Sequence, residues 1–142
     1  MNDKELHGKV HSAMYGLIKV NGVASTAEVL ISVGVLSKED YERWRFGQVD
    51  YLERVCKVNL RKLSFISREI RAFAKKNDLK PSWSDYRKWG KGENTRLRFS
   101  KSGDENIERQ YATHYVRRQK TEEAKERRAA RQDNTEQREK DE

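Results

Sequence analysis

Eight apolar residues, Val49, Leu52, Cys56, Leu60, Leu63, Ile66, Ile70 and Phe73, recur at steps of three or four along the chain. At 3.6 residues per turn those steps fall on one face of a helix, so the run must bury that face against something. The spacing predicts one long central helix within residues 48–77, about 28 residues and roughly 42 Å long. It would be the spine of the domain, with Leu52, Leu60, Leu63 and Ile70 in the core. Pro81 ends the pattern, because its ring keeps Lys80 out of the helical region.

The same stretch carries charge. Arg54, Arg61, Arg68 and Lys75 are spaced by seven, with Lys57 and Arg71 beside them, so on one continuous helix they would form a row of roughly 32 Å. Lys and Arg outnumber Asp and Glu by 14 to 5 over residues 51–100, whereas over residues 1–50 they count 6 against 7. The net charge of +8 therefore sits in the middle of the chain. A localised positive surplus is the footprint of contact with a polyanion.

Upstream, Leu6, Val10, Ala13, Met14, Leu17 and Ile18 predict an amphipathic helix over residues 4–20, stopped by Asn21-Gly22. Ser25 with Glu28 forms a capping box, Gly34 ends the helix it starts, and Ser37 with Asp40 caps another that runs to about Gly47. This Ser25 to Gly47 segment, "STAEVLISVGVLSKEDYERWRFG", resembles a helix-turn-helix. The resemblance implies DNA binding, with Lys38, Glu39, Glu42, Arg43 and Arg45 on the helix that enters the major groove. Its turn is one residue longer than usual, and Glu39, Asp40 and Glu42 would meet phosphate poorly.

Downstream, Ser82 with Asp85 predicts a short helix from Trp83 to Trp89, ended by Gly90. The alternation in "TRLRFSKSG" predicts a short β segment near residues 96–100. Residues 105–116 allow a strand, from their aromatic and β-branched end, or a helix capped by Ser102 and Glu105 with Ile107, Tyr111, His114 and Tyr115 on one face. The helix is favoured. The fold expected is thus a mainly α small helical domain, residues 4–116, followed by a charged C-terminal tail, 117–142. The tail has only alanines for apolar residues and cannot build a core.

Catalytic and cofactor motifs are weak. Gly90-Lys91-Gly92-Glu93 lacks the strand before it and the Ser or Thr after its lysine that a P-loop requires. His7 and His11 lie one helical turn apart, but two ligands do not make a metal site, and they read as helix-surface residues. Cys56 falls in the apolar stripe as an inert thiol. Glu108, Tyr111 and His114 on one helical face read as packing residues with polar tips. No enzyme, cofactor or metal is expected. With one cysteine and neither a signal peptide nor an apolar run of membrane-spanning length, a cytoplasmic chain is expected.

The function these features point to is nucleic-acid binding through Arg54, Lys57, Arg61, Arg68, Arg71 and Lys75. A flexible basic segment carrying Arg87, Lys88, Lys91, Arg96 and Arg98 would assist, with Tyr86 and Trp89 available for stacking. The alternative is a protein-interaction or assembly module.

Overall fold

The computed structural model describes residues 1–118, and most of the charged tail lies outside them. The fold is mainly helical. In chain order it runs α1 (Asp3–Asn21), β1 (Val23–Ser25), α2 (Thr26–Val33), α3 (Lys38–Arg45), a 3-10 turn (Leu52–Val55), α4 (Leu60–Lys76), β2 (Lys80–Trp83), α5 (Glu105–Ala112) and β3 (Thr113–Val116). None of the described helices is long and apolar enough to cross a membrane.

The first three helices form where their local stop and start residues stand. Gly22 ends α1 with φ of 74°, a conformation that costs a residue with a side chain far more than glycine. Ser25 and Glu28 make the reciprocal capping box at α2, and the Ser37 hydroxyl accepts from the backbone N–H of Asp40 at α3.

The long central helix is not continuous, and this corrects the sequence expectation. The N–H groups of Leu52 and Glu53 donate to the carbonyls of Arg98 and Phe99, and the N–H of Lys57 donates to Val35. Distant backbone has taken the donors that an uninterrupted helix would have used itself. Asn59 then opens a new helix, its side chain accepting from Lys62 N–H. The apolar periodicity survives across the break at Leu52, Leu63, Ile66, Ile70 and Phe73, all buried, but Leu60 falls at the first turn of α4 and is 59% exposed.

α1 packs along α4 and against α2. Leu6, Val10 and Met14 of α1 meet Leu30 and Val33 of α2 and Leu63, Ile66 and Ile70 of α4 in one core, which continues through Trp44, Leu97, Phe99, Tyr111 and Tyr115. Burying an aliphatic side chain of this size stabilises the fold by about 1.5 to 3 kcal/mol.

The sheet has the order β1-β3-β2, antiparallel throughout, with Ala24 opposite Tyr115 and Pro81 also opposite Tyr115. β2 is an edge strand, and Lys80 and Pro81 suit it to that place: proline has no N–H to offer a further strand and lysine resists pairing. The predicted Trp83–Trp89 helix is absent. Its residues pair with a distant segment instead: Leu97 N–H donates to Tyr86, Lys88 N–H donates to Thr95, and Arg87 bridges Arg96. Gly90 and Gly92, with φ of 94° and 104°, lie in the loop joining these two arms rather than ending a helix. The extended segment expected near residues 96–100 is present, its Leu97 and Phe99 facing the core. Of the two readings of residues 105–116, each holds for part: helix to Ala112 and strand from Thr113, with Asp104 as the cap.

Two carboxylates, the buried Glu108 and the half-buried Glu53, tie this second half down. Glu108 accepts from the N–H groups of Phe99 and Ser100, at 2.9 and 2.7 Å, and from the Ser100 hydroxyl. Glu53 accepts from Lys101 N–H and from the Tyr111 hydroxyl, at 2.9 and 2.7 Å. Burial, and next the bond to Glu53, push the Tyr111 phenol well above its ordinary range. Arg117 N–H still donates to Gly22, and the Arg118 guanidinium meets Asp78.

Candidate nucleic-acid interface

The expected basic residues divide by what neutralises them. Arg54 lies on the 3-10 turn, off α4, and pairs with Asp50 at 2.7 Å. Arg61 reaches across to α1 and holds both oxygens of Asp3, at 3.0 and 3.1 Å. The Arg61 hydrogen bond holds the Asp3 carboxyl below the usual carboxylate range. Arg87 and Arg96 share Asp85, at 3.1 and 3.4 Å. These four are locally compensated; Arg54 and Arg61 are two of the four residues at heptad spacing, so that row is not a single cationic face.

Others are unpaired among the described residues but scattered. Lys57 lies in the linker before α4. Lys88 lays its aliphatic stem across Gly47, where an added Cβ would approach it to 3.1 Å. Lys91 sits in the exposed loop between the hairpin arms, and Arg98 sits over the Tyr51 ring at 5.4 Å. Tyr86 and Trp89 are not free stacking platforms. Tyr86 packs on Trp44 and Phe99, Trp89 packs on Tyr41 and Phe46, and the Arg45 guanidinium is held between them at 4.8 and 4.5 Å from the ring centres. Arg45 is therefore spent on packing. The exposed face of α3 keeps Lys38, Glu39, Glu42 and Arg43, the last paired with Asp40.

Three cations do converge. A cleft of about 610 Å³ lies between the C-terminal half of α4, β2 and α5, lined by Arg71, Lys75, Leu79, Pro81, Arg109 and Tyr115 among others. No carboxylate lines it among the described residues, and none of its three cations has an ion-pair partner there. Arg71 donates to the Ser67 hydroxyl at 2.8 Å, which fixes its stem along α4. Arg109 lies over the Trp83 ring at 4.9 Å, a cation-π contact that holds the guanidinium beside the cleft without neutralising it. Arg68, one turn before Arg71 on α4, is exposed and has no carboxylate partner among the described residues.

Arg68, Arg71 and Lys75 are among the residues expected from sequence, whereas Arg109 and Trp83 are not. Arg109 stands among Glu105 and Glu108 in sequence. Glu108 in fact turns inward, and only the cation is left at the cleft. The acid-base grouping of Glu108, Tyr111 and His114 is not assembled: the first two are engaged as described, and His114 lies on β3 opposite Ser25 and Ser82. Cys56 is partly buried, and burial, then the charges of Glu53 and Asp40, push its thiol up to about 12. Comparison with protein families, curated proteins and solved structures finds no match to this chain.

Proposed function

We propose that this protein binds nucleic acid through the phosphate backbone, at the cleft between α4, β2 and α5, as a cytoplasmic binding protein rather than an enzyme. The observation that supports this most is the convergence of Arg71, Lys75 and Arg109 from two helices on one cleft without a carboxylate among its described lining residues. Phosphates carry their charge regardless of base, so contact of this kind is tolerant of sequence. Arg68 extends the positive surface along α4, and the Trp83 ring beside Arg109 offers a face on which an unpaired base can stack.

Fluorescence anisotropy with labelled single-stranded and duplex oligonucleotides at several salt concentrations tests it. With about three phosphate contacts, log K should fall against log salt with a slope near −2.1 on single strands and near −2.7 on duplex. Replacing Arg71 and Lys75 together by Ala should bring the duplex slope to about −0.9. Absence of binding by the parent protein at low salt would overturn the reading.

A second reading has one observation in its favour. Leu60 and Ile107 are exposed apolar side chains on the wall of a groove of about 500 Å³ between α4 and α5, which suits a partner protein.

A further inference from the structure

We propose that His7, His11 and Glu69 form a binding site for a divalent transition-metal ion, zinc being the best match, which clasps α1 to α4. His7 and His11 are four residues apart on α1, so their rings emerge one above the other on the same face. Packing of α1 along α4 brings Glu69 to that face. The Glu69 Oε2 atom lies 2.7 Å from His7 Nδ1 and 2.8 Å from His11 Nε2, and all three donor atoms fall within 4.8 Å of one another. The two imidazoles stack with centres 4.1 Å apart, and the edge of Phe73 meets His11 at 5.5 Å, which restricts how that ring can turn.

The donor set selects the ion. Two imidazole nitrogens and one carboxylate oxygen suit zinc and its first-row neighbours, whereas magnesium and calcium prefer oxygen alone. Three protein ligands leave a fourth position, and the half-exposed His7 side chain leaves that position open to water. Metal–ligand bonds near 2.0 Å place tetrahedral ligands about 3.3 Å apart. The two present contacts would widen by about half an ångström, and the two ring nitrogens, which lie within 4.8 Å of one another, would close toward the same spacing. Without metal, each facing ring nitrogen carries a proton donated to the carboxylate. With metal, each neutral ring carries its proton on the other nitrogen and turns the lone pair inward.

The test titrates zinc chloride into the chelator-treated full chain by calorimetry, with magnesium chloride as control, and follows the melting temperature in parallel. The expected result is one zinc per chain, no magnesium binding and a melting temperature that rises with zinc, because an ion bound only by the folded state stabilises it. Glu69→Gln and His11→Ala should lose both the heat and the thermal shift. His7→Ala, at a half-exposed position where the fold is not at stake, should do the same and decides the matter if the other two variants fold poorly. No zinc binding by the folded parent, or equal binding by parent and His7→Ala, would overturn the proposal and leave the three residues as a hydrogen-bonded clasp only.

Discussion

The two ends of α4 look alike in sequence and differ in situation. At the N-terminal end Arg61 is locked to Asp3, and the Lys62 ammonium donates to the Met1 carbonyl, so both cations are spent on holding α1. At the C-terminal end Arg71 and Lys75 face a cleft without a carboxylate among its described lining residues. Apolar residues divide the same way: Leu60 is 59% exposed and Ile70 is 1% exposed, though both belong to one periodic stripe. A repeat of seven in sequence therefore says which residues share a helix face, but what a face meets depends on the elements packed beside it.

The largest test of that contrast is charge reversal. Arg71→Glu with Lys75→Glu should abolish detectable nucleic-acid binding in the anisotropy assay. Arg61→Glu should leave it within about twofold, since that cation is already compensated and exposed pairs contribute little. Equal losses at both ends would mean that the heptad row, not the cleft, is what binds.

Stability should divide along the same line. Ile70→Ala removes a fully buried side chain and should cost about 2 to 5 kcal/mol, whereas Leu60→Ala should stay within about 0.5 kcal/mol. Denaturant unfolding measures both, and comparable costs would mean that Leu60 packs in the fold as Ile70 does. Glu108→Ala, in the half of the chain that faces the C-terminal end of α4, should cost roughly 3 kcal/mol by leaving the Phe99 and Ser100 N–H groups buried without an acceptor.

A smaller effect concerns pH. Because folding lowers the Asp3 pKa, the Asp3–Arg61 pair adds stability above the unfolded Asp3 pKa, and that addition is lost as pH falls through the lowered folded value. The stability difference between the parent and Asp3→Asn should therefore be present at neutral pH and fade in acid. A difference that persisted below the carboxylate range would exclude this pair as its source. Just ahead of α4, burial pushes the Cys56 thiol up to about 12, which leaves it almost wholly protonated. Its alkylation at pH 8 should be far slower in the folded protein than in denaturant, which mass spectrometry can follow.

Local signals in the chain specify the elements whose beginnings and ends are set within a few residues. α1, α2 and α3 follow from Gly22, the Ser25–Glu28 box, Gly34 and Ser37, because a cap satisfies helix-end groups from three or four residues away. Local spacing also fixes the apolar face of α4 and the presence of Arg68, Arg71 and Lys75 on it. Long-range packing sets where α4 begins, that residues 83–89 extend rather than coil, and that residues 105–116 change from helix to strand at Thr113. In each case the deciding hydrogen bonds come from remote backbone: Arg98 and Phe99 for the 3-10 turn, Thr95 and Leu97 for the hairpin, Ser25 and Ser82 for β3. The cleft and the His7–His11–Glu69 cluster were out of reach for the same reason, since Arg109 and Glu69 meet their neighbours only when helices far apart in sequence pack together. Local spacing carries the hydrogen bonds a segment makes with itself, and it does not carry those it makes with the rest of the chain.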